Sequence, residues 1–379
     1  MPQQPSIAIV GAGPGGLTAA NVLHRAGWTA MIFDADRSAA ARDQGGTLDL
    51  HPDDGQLALA KAGLFDAFLA VARHEDQGNR VLDHATGEVL RDVAPPPGSG
   101  DRPEIDRAVL RDLLLSPLAT DAVRWGSSVE AATTLPDGRH ALRLSDGKTE
   151  AFDLVIGADG AWSRVRAALT DTRPAYTGVA FVELWMNDVD RVHAASAALV
   201  GRGTMFALHD GQGIIAQRNG NATLRIYAAF RTRAEDTDRP DRTLAGIGTN
   251  DLLRRFEGWS PALRSLLADA DRIAAVRPIV ALPVDLRWTG RDGLTLIGDA
   301  AHVMPPLGVG VNLAMLDAAE LAETLVAGQD WREAVRTYEA AMIARAEPIA
   351  ADCTTAFARM FGPDGAQMIL DDFDSHADG

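Results

Sequence analysis

Cysteine is almost absent from this 379-residue chain, where Cys353 is the only one. That excludes an intrachain disulfide framework and any cysteine-rich zinc or iron–sulfur site. The nine histidines show no metal-ligand spacing, so no metal is expected. Lysine is nearly as scarce: Lys61 and Lys148 stand alone among 36 basic residues, the rest being arginine. Against these are 52 acidic residues, and the net charge of −16 argues against a nucleic-acid partner, because an acidic surface repels phosphate backbones. Long apolar runs are missing too. The most apolar early stretch, Ser6 to Leu23, is interrupted by glycines and a proline, and Met1 to Pro5 carries no basic side chain. Neither a membrane span nor a signal peptide is expected, and a cytoplasmic location follows. No Ser-His-Asp nucleophile elbow is present, and no side chain is assigned a catalytic role.

What is present is an ordinary globular composition, 46% hydrophobic and 23% charged, on a length that suits two interlocked domains or one large α/β domain. The chain opens as strand, tight turn, helix, strand: Ser6 to Val10, Gly11 to Gly16, Leu17 to Arg25 with Gly27 as its stop, then Thr29 to Phe33 with Asp34 at its end. In Gly11-Ala-Gly13-Pro-Gly-Gly16, Gly11 permits the turn, Gly13 lets a pyrophosphate approach the backbone, and Gly16 lets helix and strand pack closely. Asp34 follows Gly11 by 23 positions, the interval of a carboxylate that binds a ribose hydroxyl. Together these features point to a dinucleotide.

Further on, Gln56 to Ala72 has helical spacing, Arg80 to Leu90 reads as a hairpin, Ala94 to Gly100 as a loop and Asp106 to Leu118 as a helix. Ala141 to Leu144 and Ala151 to Ile156 form a second hairpin that runs into Gly157. Residues 175–285 alternate like strands of an antiparallel sheet, after which Leu294 to Ile297 returns to the first domain. Leu313 to Gly328 and Asp330 to Phe361 are helical, with a kink expected at Pro348 and disorder in the acidic tail Asp371 to Gly379. Two more motifs share one physical form, an apolar strand ending in glycine beside a carboxylate. They are Asp153-Leu-Val-Ile-Gly-Ala-Asp159-Gly160 and Thr295-Leu-Ile-Gly298-Asp299-Ala-Ala-His302, the latter followed by Pro305-Pro306, Gly308, Gly310 and Asn312. Asp299 can bond a ribityl or ribose hydroxyl, and a helix starting near Gly310 can aim its N–H groups at a flavin's pyrimidine carbonyl.

With these motifs in this order, the sequence resembles the group A flavoprotein aromatic hydroxylases typified by p-hydroxybenzoate hydroxylase. Within them, Gly45-Gly-Thr-Leu-Asp49-Leu-His51, Pro103-Glu-Ile-Asp-Arg107-Ala-Val-Leu and Gly298 to Pro306 are most similar to the tetracycline-inactivating flavin monooxygenases. The resemblance implies an α/β fold: a Rossmann-like FAD-binding domain, an inserted antiparallel β-sheet substrate domain and a long C-terminal helix. It implies FAD contacts from Asp34, Asp49, Arg107 and Asp299, and a role for Arg42 on the NADPH side. The reaction implied is reduction of FAD by transient NADPH (or NADH), capture of O₂ as a flavin C4a-hydroperoxide, and oxygen transfer to an aromatic or polycyclic, polyketide- or tetracycline-like molecule. A halogenase or reductase on the same scaffold, or a non-catalytic flavoprotein that sequesters a ligand, are the alternatives. The sequence departs from the tetracycline enzymes in a segment between Pro306 and Gly308 that is one residue shorter, and in Glu183 and Arg225, charged residues that fall on the substrate sheet where those enzymes carry a glutamine and a histidine.

The expected division is 1–174 for FAD, with part of the substrate sheet at about 80–95, 175–285 for substrate, 286–330 returning to FAD, and 331–370 as the C-terminal helix, in a monomer. Glu183, Phe206 and Arg225 are the substrate candidates. Glu183 and Arg225 pair with each other or with an ionised substrate group, unless a one-residue slip turns both to solvent. Plainer readings stand beside the functional ones. Asp34 can be a surface carboxylate, Asp159 a structural turn residue, and Arg42 part of a solvated loop. His51 and His302 read as structural histidines, and Trp185, Met186, Phe206 and Tyr227 as sheet core or substrate wall.

Overall fold

The computed structural model describes residues 4–41, 45–96, 99–232, 244 and 246–377. Ile7–Val10 is apolar throughout and buried throughout, which suits the middle of a sheet covered on both faces. It lies there, in a five-stranded parallel sheet ordered Leu294–Leu296, Leu154–Gly157, Ile7–Val10, Ala30–Phe33, Val123–Arg124. The ends of the first three strands in this order bring Gly298, Gly157 and Gly11 to one edge, where Ala158 N–H bonds Val10 O and Ile297 N–H bonds Gly157 O. The first helix, Pro14–Arg25, starts on proline and packs against helix Gly310–Ala327. Gly15 makes that approach close, since a Cβ there would stand 3.0 Å from Ala314 O.

The expected strand 151–156 is in fact two. Thr149–Phe152 completes an antiparallel three-stranded sheet with Val129–Thr134 and His140–Leu144, and Leu154–Gly157 belongs to the parallel sheet. The change occurs at Asp153, whose carboxylate accepts both the Ser6 N–H and the Ser6 hydroxyl, at 2.8 and 2.6 Å. A two-stranded ribbon, Thr47–Asp49 with Glu104–Asp106, stands apart from both sheets.

The third large element is a seven-stranded sheet ordered Arg272–Ala281, Ala175–Met186, Thr223–Arg231, Gln212–Asn219, Gly203–His209, Gly78–Leu82, Val89–Val93. Its pairs are antiparallel except Gly203–His209 with Gly78–Leu82. Alternation sends Ala180, Val182, Leu184 and Met186 to a face covered by helices Ala194–Val200, Thr249–Arg255 and Pro261–Ala268, which the strand-like pattern had hidden. Phe181, Ile215, Tyr227 and Phe206 take the other face, with Phe357 and Met360 of helix Trp331–Met360 and Phe361 just after it packed among them.

That helix runs through Pro348. The proline and Ala344, whose carbonyl it frees, both face solvent, so water can replace the lost bond. The expected disordered tail is helical instead, over Gly365–Ala377. Met368 and Ile369 supply its apolar contact to the sheet, and the Phe373 ring lies 6.5 Å from Phe206.

Candidate functional site

The glycine loop leaves a hollow at the sheet edge. Gly11 has φ +109° and no room for a Cβ, which would stand 2.3 Å from Ala158 O; a Cβ on Gly16 would stand 2.0 Å from Gly11 O. Gly13 differs, with nothing within 4 Å of its Cβ position. It is also the N-cap of helix Pro14–Arg25, which has no side-chain cap and no acidic residue in its first turn. Open space in front of uncapped helix N–H groups suits a diphosphate.

Asp34 closes one side. Its carboxylate accepts the Ala12 N–H at 2.7 Å and the Asp36 N–H at 2.8 Å, which fixes its orientation and leaves further lone pairs available. Arg111, which the sequence reading missed, lies 3.9 Å from it and 3.3 Å from Asp36. Its signal was its position four residues after Arg107, hence on the same helix face.

Asp299 is the other landmark. It begins the turn Asp299–His302 after Gly298, which has φ +56°. Its carboxylate is open to solvent yet walled by protein, and among the described residues no protein group hydrogen-bonds it. Desolvation raises its pKa, opposed by the charges of His302, Arg107 and Arg166. A Cβ on Gly310, first residue of helix Gly310–Ala327, would lie 3.9 Å from Asp299 Oδ1. The ribbon reaches the same region. Gly308, at φ +90°, would place a Cβ 3.7 Å from Asp49 Oδ1, and Arg107 packs under Gly45 with its N–H on Gly46 O. Pro306 is exposed beside them.

Asn312 acts as a clamp. Its amide donates to Asp49 O and Gly308 O and accepts the His51 N–H, so only its backbone remains for a ligand. His51 sits 3.1 Å from Asp49, and hydrogen bonds to Asp49 and Asp54 push its pKa up to about 9. His302 is a satisfied histidine, 2.6 Å from buried Asp317, which also accepts the Gly298 N–H and the Arg345 guanidinium.

Four candidates need revising or fall outside. Asp159 spends both oxygens on its own turn, accepting from Ser163 Oγ at 2.5 Å and from the Arg164 and Val165 N–H groups; this is the structural reading. Glu183 and Arg225 lie on the inner sheet face without a slip, but at 2% and 1% exposure they are closed to substrate. They pair with each other because isolated charges there would be costly. Arg277 and Trp185 Nε1 also donate to Glu183, and the Arg225 guanidinium stacks 3.7 Å over Trp185. Arg225, Tyr227 and Gln217 instead press on Gly46, with their nearest atoms 3.0–3.3 Å from where its Cβ would be. Phe206 is half-buried on that face. Arg42 lies outside the described residues.

An open glycine hollow, an uncapped helix start and an unpartnered carboxylate across from it fit FAD. The FAD binding domain family matches residues 4–352. The chain belongs to that family. A monooxygenase of Emericella nidulans, asqM, is 32% identical over 84% of this chain and 83% of its own. Klebsiella pneumoniae HpxO, solved with FAD and uric acid, superposes with TM-score 0.79 at 23% identity, covering 98% of this chain and 92% of that one. Tetracycline destructase Tet(55) superposes with TM-score 0.72 at 22% identity, covering 93% and 90%. The protein is thus an FAD-dependent monooxygenase of the group A hydroxylase-like fold. Among the described residues no helix is long and apolar enough to cross a membrane, and no His, Cys, Asp or Glu cluster is placed to hold a metal.

Proposed function

We propose that this flavoprotein hydroxylates an aromatic or polycyclic small molecule, drawing electrons from NADPH or NADH, as a monomer in the cytoplasm. The observation that carries this reading is the aromatic sheet face. Phe181, Phe206, Ile215 and Tyr227 share it, and Leu307, from the turn between Pro306 and Gly308, packs among them. HpxO with uric acid and the tetracycline destructases, named for flat polycyclic compounds, support it.

FAD, when bound, would supply the redox and oxygen-activating chemistry. The chain's own residues hold the parts and keep water out. Asp34 would hold adenosine ribose hydroxyls, Gly13 and the following helix start would hold the diphosphate, and Asp299 would hold a ribityl hydroxyl. The N–H groups of Gly310 to Asn312, with Asp49, Arg107, Pro306 and Gly308, would hold the flavin, and Arg42 would serve the pyridine nucleotide. Segments 1–174 and 286–330 serve the cofactor, 175–285 with 80–95 the substrate, and 331–370 joins them.

The test is NADPH and NADH oxidation across a panel of polycyclic phenols, tetracyclines included, with product mass. Stimulated oxidation with a product heavier by one oxygen atom supports the reading; oxidation that no compound stimulates counts against it. Arg42→Ala should slow anaerobic reduction while FAD content stays normal, and unchanged reduction kinetics would remove Arg42 from the mechanism.

A further inference from the structure

Arg111 is out of place as a structural residue. It is 3% exposed, yet its bonds are long: Nη1 and Nη2 reach Asp36 Oδ2 at 3.3 and 3.4 Å, and Nη1 reaches Ala39 O at 3.3 Å. Its Nε is buried with no acceptor among the described residues. The guanidinium lies 4.9 Å from the Trp125 ring and reaches from helix Arg107–Leu115 to the loop after Phe33. An apolar side chain would fill such a place at less cost, since a buried charge contributes stability only when its donors are well used.

Electrostatics explains the placement. Asp34 and Asp36 put two carboxylates at the end of the second strand, and FAD brings a diphosphate to the neighbouring glycine loop. Without a cation the two would repel. The Arg111 guanidinium is 3.9 Å from Asp34 Oδ2, the oxygen that also accepts Ala12 N–H from that loop. Through Asp36 and Ala39 it also draws in the chain that borders Asp34. Arg107, one turn earlier on the same face, packs against Gly45. One helix face therefore carries a cation toward each end of the cofactor groove.

We infer that Arg111 is a positioning residue for the adenosine half of FAD, holding Asp34 in the orientation that accepts the ribose hydroxyls. This rests on Asp34 as the ribose-facing carboxylate, and it is independent of the substrate.

The experiment measures binding to the apoprotein by flavin fluorescence quenching, with FAD and with an FAD whose adenosine ribose lacks both hydroxyls. Wild type should prefer FAD. Arg111→Met should melt with the wild-type apoprotein, lose about tenfold or more in FAD affinity, and bind both ligands alike, the pattern of a lost charge-assisted contact. Arg111→Lys, which keeps the charge without the planar fork, should fall between. If wild type does not distinguish the two ligands, Asp34 is not the ribose acceptor and the inference falls with that reading. If wild type distinguishes them and Arg111→Met does so equally, the inference alone is overturned. Should Arg111→Met fail to fold, Arg111→Lys decides: reduced discrimination supports the role and unchanged discrimination overturns it.

Discussion

At the cofactor cradle, Asp299 faces the cleft with no hydrogen bond from any described residue, and the N–H groups behind Gly13 are uncapped. On the inner face of the seven-stranded sheet, Glu183 is bonded by Arg225, Arg277 and Trp185 and sealed from solvent. Both regions set charge against protein walls, the first open to solvent and the second closed. In the first the charge awaits a partner from outside; in the second the partners are already present. Polar groups left open mark where a ligand belongs, whereas closed groups hold the scaffold that presents it.

The contrast can be broken most sharply at Arg225. Arg225→Met strands Glu183 with fewer partners and should cost about 3–5 kcal/mol in urea unfolding, whereas Arg225→Met with Glu183→Leu should recover most of the loss. Equal losses in single and double variants would mean the pair is not closed. Next is the glycine loop. Gly16→Ala drives a methyl into Gly11 O and should cost about 1–3 kcal/mol of apoprotein stability. Gly13→Ala meets nothing, so it should leave the apoprotein intact and weaken FAD alone. Calorimetry of both apoproteins with FAD titration checks that split.

Asp299→Ala should be silent in apoprotein melting and weaken FAD by about 1.5–3 kcal/mol, the scale of a hydrogen bond from a hydroxyl to a charged acceptor. Unchanged FAD affinity would make the open carboxylate idle. A pH-dependent effect is expected at His51. Its pKa is raised from 6.5 to about 9, so its ion pairs with Asp49 and Asp54 stabilise the fold fully below pH 6.5 and fade as pH climbs through about 9. His51→Gln should flatten that part of the urea-midpoint profile; an unaltered slope would assign it to another group.

The cradle was legible in the sequence because its signals are local. Gly11, Gly13 and Gly16 act within one turn, Asp34 follows directly on a strand, and Asp299 comes shortly after another, just past Gly298. The sheet was legible only by face: alternation put Glu183 and Arg225 on the same side, but nothing along the chain says that Trp185 and Arg277 complete their shell. At Asp159 the motif did not show that the carboxylate caps its own loop. The part of helix Gly365–Ala377 beyond residue 370 was missed because its acidic residues outweigh Phe373, whose ring meets Phe206 of the sheet.

The interleaving of the sheets bears on synthesis. Leu154–Gly157 stays an open edge of the parallel sheet until Leu294–Leu296 arrives, and Gly78–Leu82 waits for Gly203–His209. At usual elongation rates the first gap lasts roughly 7–28 s, far longer than a hairpin or helix needs to form. A nascent chain therefore holds an apolar strand edge exposed for that whole interval. Fragments that stop short of Leu294 carry the defect permanently, so premature termination of this chain should yield aggregates rather than a smaller folded protein.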